Sequence, residues 1–212
     1  METISQFFKN AIEIKNFGFN IITISAIITI ILSTYQMWGV TKQISTIKRK
    51  KSAESIFMPL FIFAFFYLIT TIMYGIYTEK LSVIYNGLNS VFFFVVLLMV
   101  WRYKKINITD VLSLLIFSLM IPVMIIMPDK KVAYMSCASI MLLGGLSQLI
   151  LLIKNKKRGS LEPKLFNVYI VTNSSWLIYG IITKDWVFQL SNSISVTIMI
   201  FIAVLLKKYK DS

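Results

Sequence analysis

Tyr74-Gly75-Ile76-Tyr77-Thr78-Glu79-Lys80 and Tyr179-Gly180-Ile181-Ile182-Thr183-Lys184-Asp185 are two versions of one sentence. Each closes an apolar run with Tyr-Gly, crosses a very short polar gap, and opens a second apolar run. That second run carries an asparagine in its first turns, Asn86 in one case and Asn192 in the other. Upstream of each Tyr-Gly lies a basic stretch ending in a Ser-x-Glu triplet. The stretches are Lys48-Arg49-Lys50-Lys51-Ser52-Ala53-Glu54 and Lys154-Asn155-Lys156-Lys157-Arg158-Gly159-Ser160-Leu161-Glu162. The chain is thus internally duplicated. A membrane protein built from two like units usually moves something across the bilayer between them.

The composition places those units in lipid. Hydrophobic residues make up 57% of the chain, charged residues 15%, and the mean hydropathy is +0.76. Apolar runs of about 17–25 residues cross a hydrocarbon core of roughly 30 Å. Seven occur: Phe17 to Val40, Ile56 to Tyr77, Leu81 to Trp101, Val111 to Met127, Val132 to Ile153, Leu165 to Ile182, and Trp186 to Leu206. Backbone amides in lipid must be satisfied internally, and runs this long and uniform read as helices rather than barrel strands. The expected class is an all-α membrane protein of seven transmembrane helices.

The expected arrangement is three, one, three. Residues 17–105 form the first three-helix repeat, 106–131 a linker helix, and 132–208 the second repeat. A three-helix unit begins and ends on opposite sides of the membrane. Joining two units in the same orientation therefore needs one extra crossing, which makes these parallel repeats. Short gaps make spans two and three, and six and seven, antiparallel neighbours.

The net charge of +13 does not indicate nucleic acid. Sixteen of the 22 Lys and Arg residues follow odd-numbered spans, against six on the other side. The positive-inside rule then puts the N-terminus outside and the C-terminus in the cytoplasm, with the cell membrane as the expected location. The basic clusters are topology signals in contact with lipid headgroups.

Within the spans, ionisable groups are missing at mid-depth, and the chain contains no histidine. Proton-coupled carriers usually hold intramembrane Asp, Glu or His as relays. Their absence points to passive, facilitated movement. No glycine-rich phosphate loop supports a pump, no nucleophile–base pair supports an enzyme, and no residue cluster calls for a metal or cofactor. Cys137 is the single cysteine, so a disulfide within the chain is ruled out. What remains is neutral polarity: Thr71, Asn86, Trp176 and Asn192, each about 8–10 Å inward from one end of its span. Amides can bond hydroxyls, and an indole face can lie on an apolar ring. The plainer reading is that a membrane Asn bonds a neighbouring helix, for about 0.6–2 kcal/mol. Trp38, Trp101 and Trp186, at span ends, read as interfacial anchors. Tyr74 and Tyr179 read either as closing an external mouth or as anchors of the same kind.

Several of these stretches together resemble the SWEET sugar transporters and the wider PQ-loop group. In the first repeat they are Ser52-Ala53-Glu54-Ser55, Met58-Pro59, Tyr74-Gly75 and Asn86-Gly87. In the second they are Ser160-Leu161-Glu162, Asn173-Ser174-Ser175-Trp176-Leu177-Ile178-Tyr179-Gly180 and Asn192. The resemblance covers roughly residues 20 to 208. It implies two three-helix bundles joined by an inversion-linker helix, carrying mono- or disaccharides by alternating access. It further implies that Asn86 and Asn192 contact the solute, with Thr71 and Trp176 beside them. Bundles of this family rock about prolines, and Pro59 and Pro163 keep two of those places. Lys42 and Gln148 stand where the other two prolines would be. The implied partner is a small neutral solute in a lipid bilayer, with a homo-oligomer left open. Two rivals stand beside the sugar reading: a PQ-loop-type carrier of an amino acid or vitamin, and a non-transporting receptor of the same fold.

Overall fold

A computed structural model describes residues 6–7, 9–51, 53, 58–156 and 163–209. The described residues are helical, with helices α1 (Ile12–Lys15), α2 (Ile21–Lys50), α3 (Met58–Tyr77), α4 (Leu81–Leu88), α5 (Ser90–Tyr103), α6 (Ile108–Ser118), α7 (Met120–Ile126), α8 (Lys130–Asn155), α9 (Pro163–Ile182) and α10 (Trp186–Lys208). The fold is that of an all-helical membrane protein. Among the described residues, five stretches are long and apolar enough to cross a bilayer: α2, α3, α4 with α5, α6 with α7, and α10. Helices α8 and α9 have 26 and 20 residues, also enough for roughly 30 Å at 1.5 Å per residue. Their polar content is higher, including Thr172, Asn173, Ser174 and Ser175 in α9.

The duplication is exact in register over a long stretch, at an offset of 105 residues. Lys51 and Lys156 close the first helix of each repeat with φ of 49° and 52°. Glu79 and Lys184 turn the chain between the next two helices with φ of 53° and 52°. The Thr78 and Thr183 hydroxyls donate to the carbonyls of Tyr74 and Tyr179 at 2.8 and 2.9 Å. The amides of Lys80 and Asp185 donate to the carbonyls of Gly75 and Gly180 at 2.9 and 2.8 Å. The bonds to Gly75 and Gly180 satisfy carbonyls at a helix end, while the Tyr74 and Tyr179 carbonyls also take the amides of Thr78 and Thr183 at 2.9 Å.

The glycine in each Tyr-Gly pair is required by what crosses it. A Cβ on Gly75 would stand 2.8 Å from the Ile84 amide nitrogen, and one on Gly180 would stand 2.7 Å from the Phe188 Cβ. Helix association in lipid depends on such close approach, because the surrounding tails are as apolar as the side chains.

Helical regularity is where the repeats differ. The third span tightens at Asn89, between α4 and α5, where the backbone keeps helical torsions (φ −61°, ψ −13°) and the Asn89 amide donates to the Asn86 carbonyl at 3.1 Å, whereas α10 runs regularly for 23 residues. The fourth span tightens in the same way at Leu119, whose amide donates to the Ile116 carbonyl at 3.2 Å. There Pro122 lacks the N–H that would have taken the Ser118 carbonyl. Helices α2 and α8 run straight through Lys42 and Gln148. Pro59 and Pro163 lie in the first turns of α3 and α9 as described, where a missing N–H breaks no helical bond. Among the described residues these tightened turns fall at Asn89 and Leu119. The triplets Ser52-Ala53-Glu54 and Ser160-Leu161-Glu162 lie wholly or mostly outside the described residues.

The chain forms two compact units, residues 1–18 with 33–134, and 19–32 with 135–212. In the first, Ile47, Met58, Ile62, Val96, Leu97 and Val100 make a buried cluster near the basic end. In the second, Leu152, Phe166, Ile198, Ile202 and Leu206 do the same. The fourth span packs on α3 in the first unit and exposes Leu115, Ile116, Leu119, Ile125 and Ile126. Gly180→Ala is expected to lower stability by about 1–3 kcal/mol through overpacking. Thermal unfolding of the detergent-solubilised protein checks this; an unchanged midpoint would contradict the close crossing.

Candidate functional site

Each unit carries its own group of neutral polar and aromatic side chains. Thr71 and Trp176 are each six residues from the end of their helices, Tyr77 and Ile182. Asn86 is five residues into α4 and Asn192 six residues into α10. At 1.5 Å per residue, all four lie about 8–9 Å from a helix end.

In the first unit, Thr71 is fully buried and its hydroxyl is engaged. It donates to the Tyr67 carbonyl at 2.9 Å and lies 3.1 Å from the Tyr134 hydroxyl. Tyr134, from α8, stacks on both flanking rings of α3. Its centroid is 4.3 Å from Tyr74 at an interplanar angle of 5°, and 5.7 Å from Tyr67 at 19°. The Tyr67 and Tyr134 hydroxyls are 2.9 Å apart and share a hydrogen bond. Thr71 is therefore one member of a tyrosine cluster, and Tyr134 is the residue that sequence reasoning missed. One tyrosine near the start of an apolar span gives no signal of its own.

In the second unit, Trp176 is 5% exposed and lies nearly parallel to Phe188, at 5.3 Å and 20°. Tyr179 meets it edge-on at 5.7 Å. Phe188 was also missed; it takes up an indole face that a solute ring would otherwise use. Asn192 is buried, and its Nδ2 donates back to the Phe188 carbonyl at 2.9 Å. Tyr74 and Tyr179 are both fully buried, which speaks against headgroup anchoring. Trp38, Trp101 and Trp186 are exposed, as interfacial anchors are.

The two asparagines are not at equivalent positions. In the register set by the turns and glycines, Asn86 matches Ser191 and Asn192 matches Gly87. The physical reason lies at Gly87. A Cβ there would be 2.7 Å from the Ile72 amide nitrogen and 2.8 Å from the Leu68 carbonyl oxygen. No side chain fits, so the first repeat carries its asparagine one residue earlier, and Asn86 is half-buried. One turn further along, Asn89 is 5% exposed, and its Nδ2 finds no partner among the described residues. A buried donor left unpaired costs about 1–3 kcal/mol. Polarity also extends along α2, where Ser25, Thr29 and Ser33 form a buried row at four-residue spacing. Among the described residues no group of His, Cys, Asp and Glu is arranged to hold a metal ion.

The all-helical membrane fold thus buries neutral polar groups in each of its two units. Residues 132–212 match the family described as "Sugar efflux transporter for intercellular exchange". The whole fold is similar to that of a solved eukaryotic SWEET transporter, at a TM-score of 0.72 and 16% identity. The match covers 89% of this chain and 96% of that one. No curated protein matches the chain. The family read from the sequence is thus matched over residues 132–212, and the fold it implies is matched over 89% of the chain. It is a family of transporters, not of enzymes.

The tyrosine cluster can be tested by a double-mutant cycle. Tyr134→Phe and Thr71→Val should each cost about 1 kcal/mol of stability. Together they should cost less than their sum, because both partners of one bond leave. Thermal unfolding of the four proteins measures the coupling; strict additivity would show that the two hydroxyls do not interact.

Proposed function

We propose that this chain is a facilitative carrier of a small neutral sugar, working as a uniporter by alternating access. The observation that carries the reading is the match of its second repeat to a family described by sugar efflux. The buried amide of Asn192, the half-buried amide of Asn86 and buried aromatic rings at similar depth support it, as does the lack of ionisable groups at mid-depth. Asn86 and Asn192 bind hydroxyls. Trp176 packs on the sugar ring with the face that Phe188 leaves. Thr71 acts through Tyr134 rather than by direct contact. Movement is downhill, because no residue at that depth can carry a proton relay. The chain sits in the cell membrane with its N-terminus outside and its basic C-terminal end in the cytoplasm.

The test is uptake of labelled monosaccharides and disaccharides into proteoliposomes. Replacing a buried hydrogen-bonding group costs about 1–3 kcal/mol, roughly five- to a hundred-fold in affinity. Asn86→Ala with Asn192→Ala should therefore reduce uptake at low sugar by at least about tenfold. Uptake undiminished in the double variant would remove the site. Collapsing a proton gradient should leave the wild-type rate unchanged, and a fall to background would remove the uniport reading.

A further inference from the structure

The N-terminal segment does something for the first repeat that the second repeat does for itself. A helix start leaves amide N–H groups without partners, and an Asn, Asp, Ser or Thr just before it usually accepts from them. Four of the long helices follow that rule locally. Asn20 accepts from the amides of Ile22 and Thr23 at 3.0 Å each, before α2. Asn107 accepts from Asp110 at 2.8 Å, before α6. Asp129 accepts from Lys131 at 2.8 Å, before α8. Asp185 accepts from Val187 at 3.1 Å, before α10.

The start of α4 is capped differently. Lys80 stands where the repeat register requires the counterpart of Asp185, and an ammonium group cannot accept a hydrogen bond. Its side chain makes no cap bond. The acceptor arrives from elsewhere: the Glu13 carboxylate takes the Leu81 amide on one oxygen at 3.0 Å. Its other oxygen takes the Ser82 amide at 3.0 Å and the Ser82 hydroxyl at 2.7 Å. Two neighbouring bonds hold the same segment down. The Ile12 amide donates to the Glu79 carbonyl at 3.0 Å, and Asn10 Nδ2 donates to the Glu79 carboxylate at 3.2 Å. Ala11, between them, is completely buried.

We propose that residues 10–15 are a detachable strap, and that its docking sets the order of the outermost turns of the third span. Charge favours the docked form, since a carboxylate sits at the positive end of a helix. The link is long-range, 68 residues along the chain, so strap and helix end can part without breaking any covalent neighbour. Ser82, which the strap grips, is one helical turn from Asn86 on the same face. Undocking therefore frees the turn that carries Asn86. The inference concerns the fold of the first unit and stands whether or not the solute is a sugar.

Hydrogen exchange on the full chain in detergent tests it. Losing a cap raises local opening by about five- to thirty-fold. Glu13→Ala should speed exchange by that factor in residues 10–15 and in residues 81–86. Glu13→Gln, which keeps the shape and loses the charge, should do so to a smaller extent and serves if Glu13→Ala fails to fold. The decisive variant adds Lys80→Asp to Glu13→Ala. Lys80 has φ −119° and ψ 107°, close to the −98° and 99° of Asp185, so an aspartate there can cap. Protection should return to residues 81–86 and not to residues 10–15. Continued protection of residues 10–15 in Glu13→Ala, or unaltered exchange at residues 81–86, would overturn the proposal. So would failure of Lys80→Asp to restore residues 81–86.

Discussion

Everything in this molecule turns on a backbone-to-backbone crossing at two glycines. Gly75 and Gly180 let α4 and α10 lie against α3 and α9 with no intervening methyl. Lipid offers no preference for one apolar surface over another, so such proximity is what holds helices together. The turn that follows is set by the same need. Thr78 and Thr183 close the ends of their helices, and Glu79 and Lys184 reverse the chain.

Much of this was legible in the sequence. The helix borders read from hydropathy agree with the structure to within a few residues, and the helix of the first span runs on through Lys50, across the Thr41-to-Ile47 stretch that holds only one charge. They are legible because lipid leaves a helix no alternative way to satisfy its amides. The matching Tyr-Gly turns were legible for a similar reason: a position where only glycine fits must keep glycine. The tightened turns were less so. Pro122 marks one of them, but the one at Asn89 has no proline to announce it.

The environment of the candidate residues was not legible. Thr71, Trp176 and Asn192 lie at the depth in their helices read from their spans, yet each is engaged by a residue from a distant stretch or an adjacent turn: Tyr134, Phe188 and the Phe188 carbonyl. Phenylalanine and tyrosine are frequent in this chain, so no single one stands out. The one-residue displacement of Asn86 from Asn192 also escaped pattern reading. It follows from a steric fact at Gly87 that requires coordinates.

Tyr134 lies on the helix that opens the second repeat, but it packs with the first unit. Helix α2, which opens the first repeat, gives residues 19–32 to the second unit. Each half has thus come to lean on material from the other. Cutting the chain between its repeats would therefore take the Tyr134 ring out of the aromatic stack of the first unit and residues 19–32 out of the second.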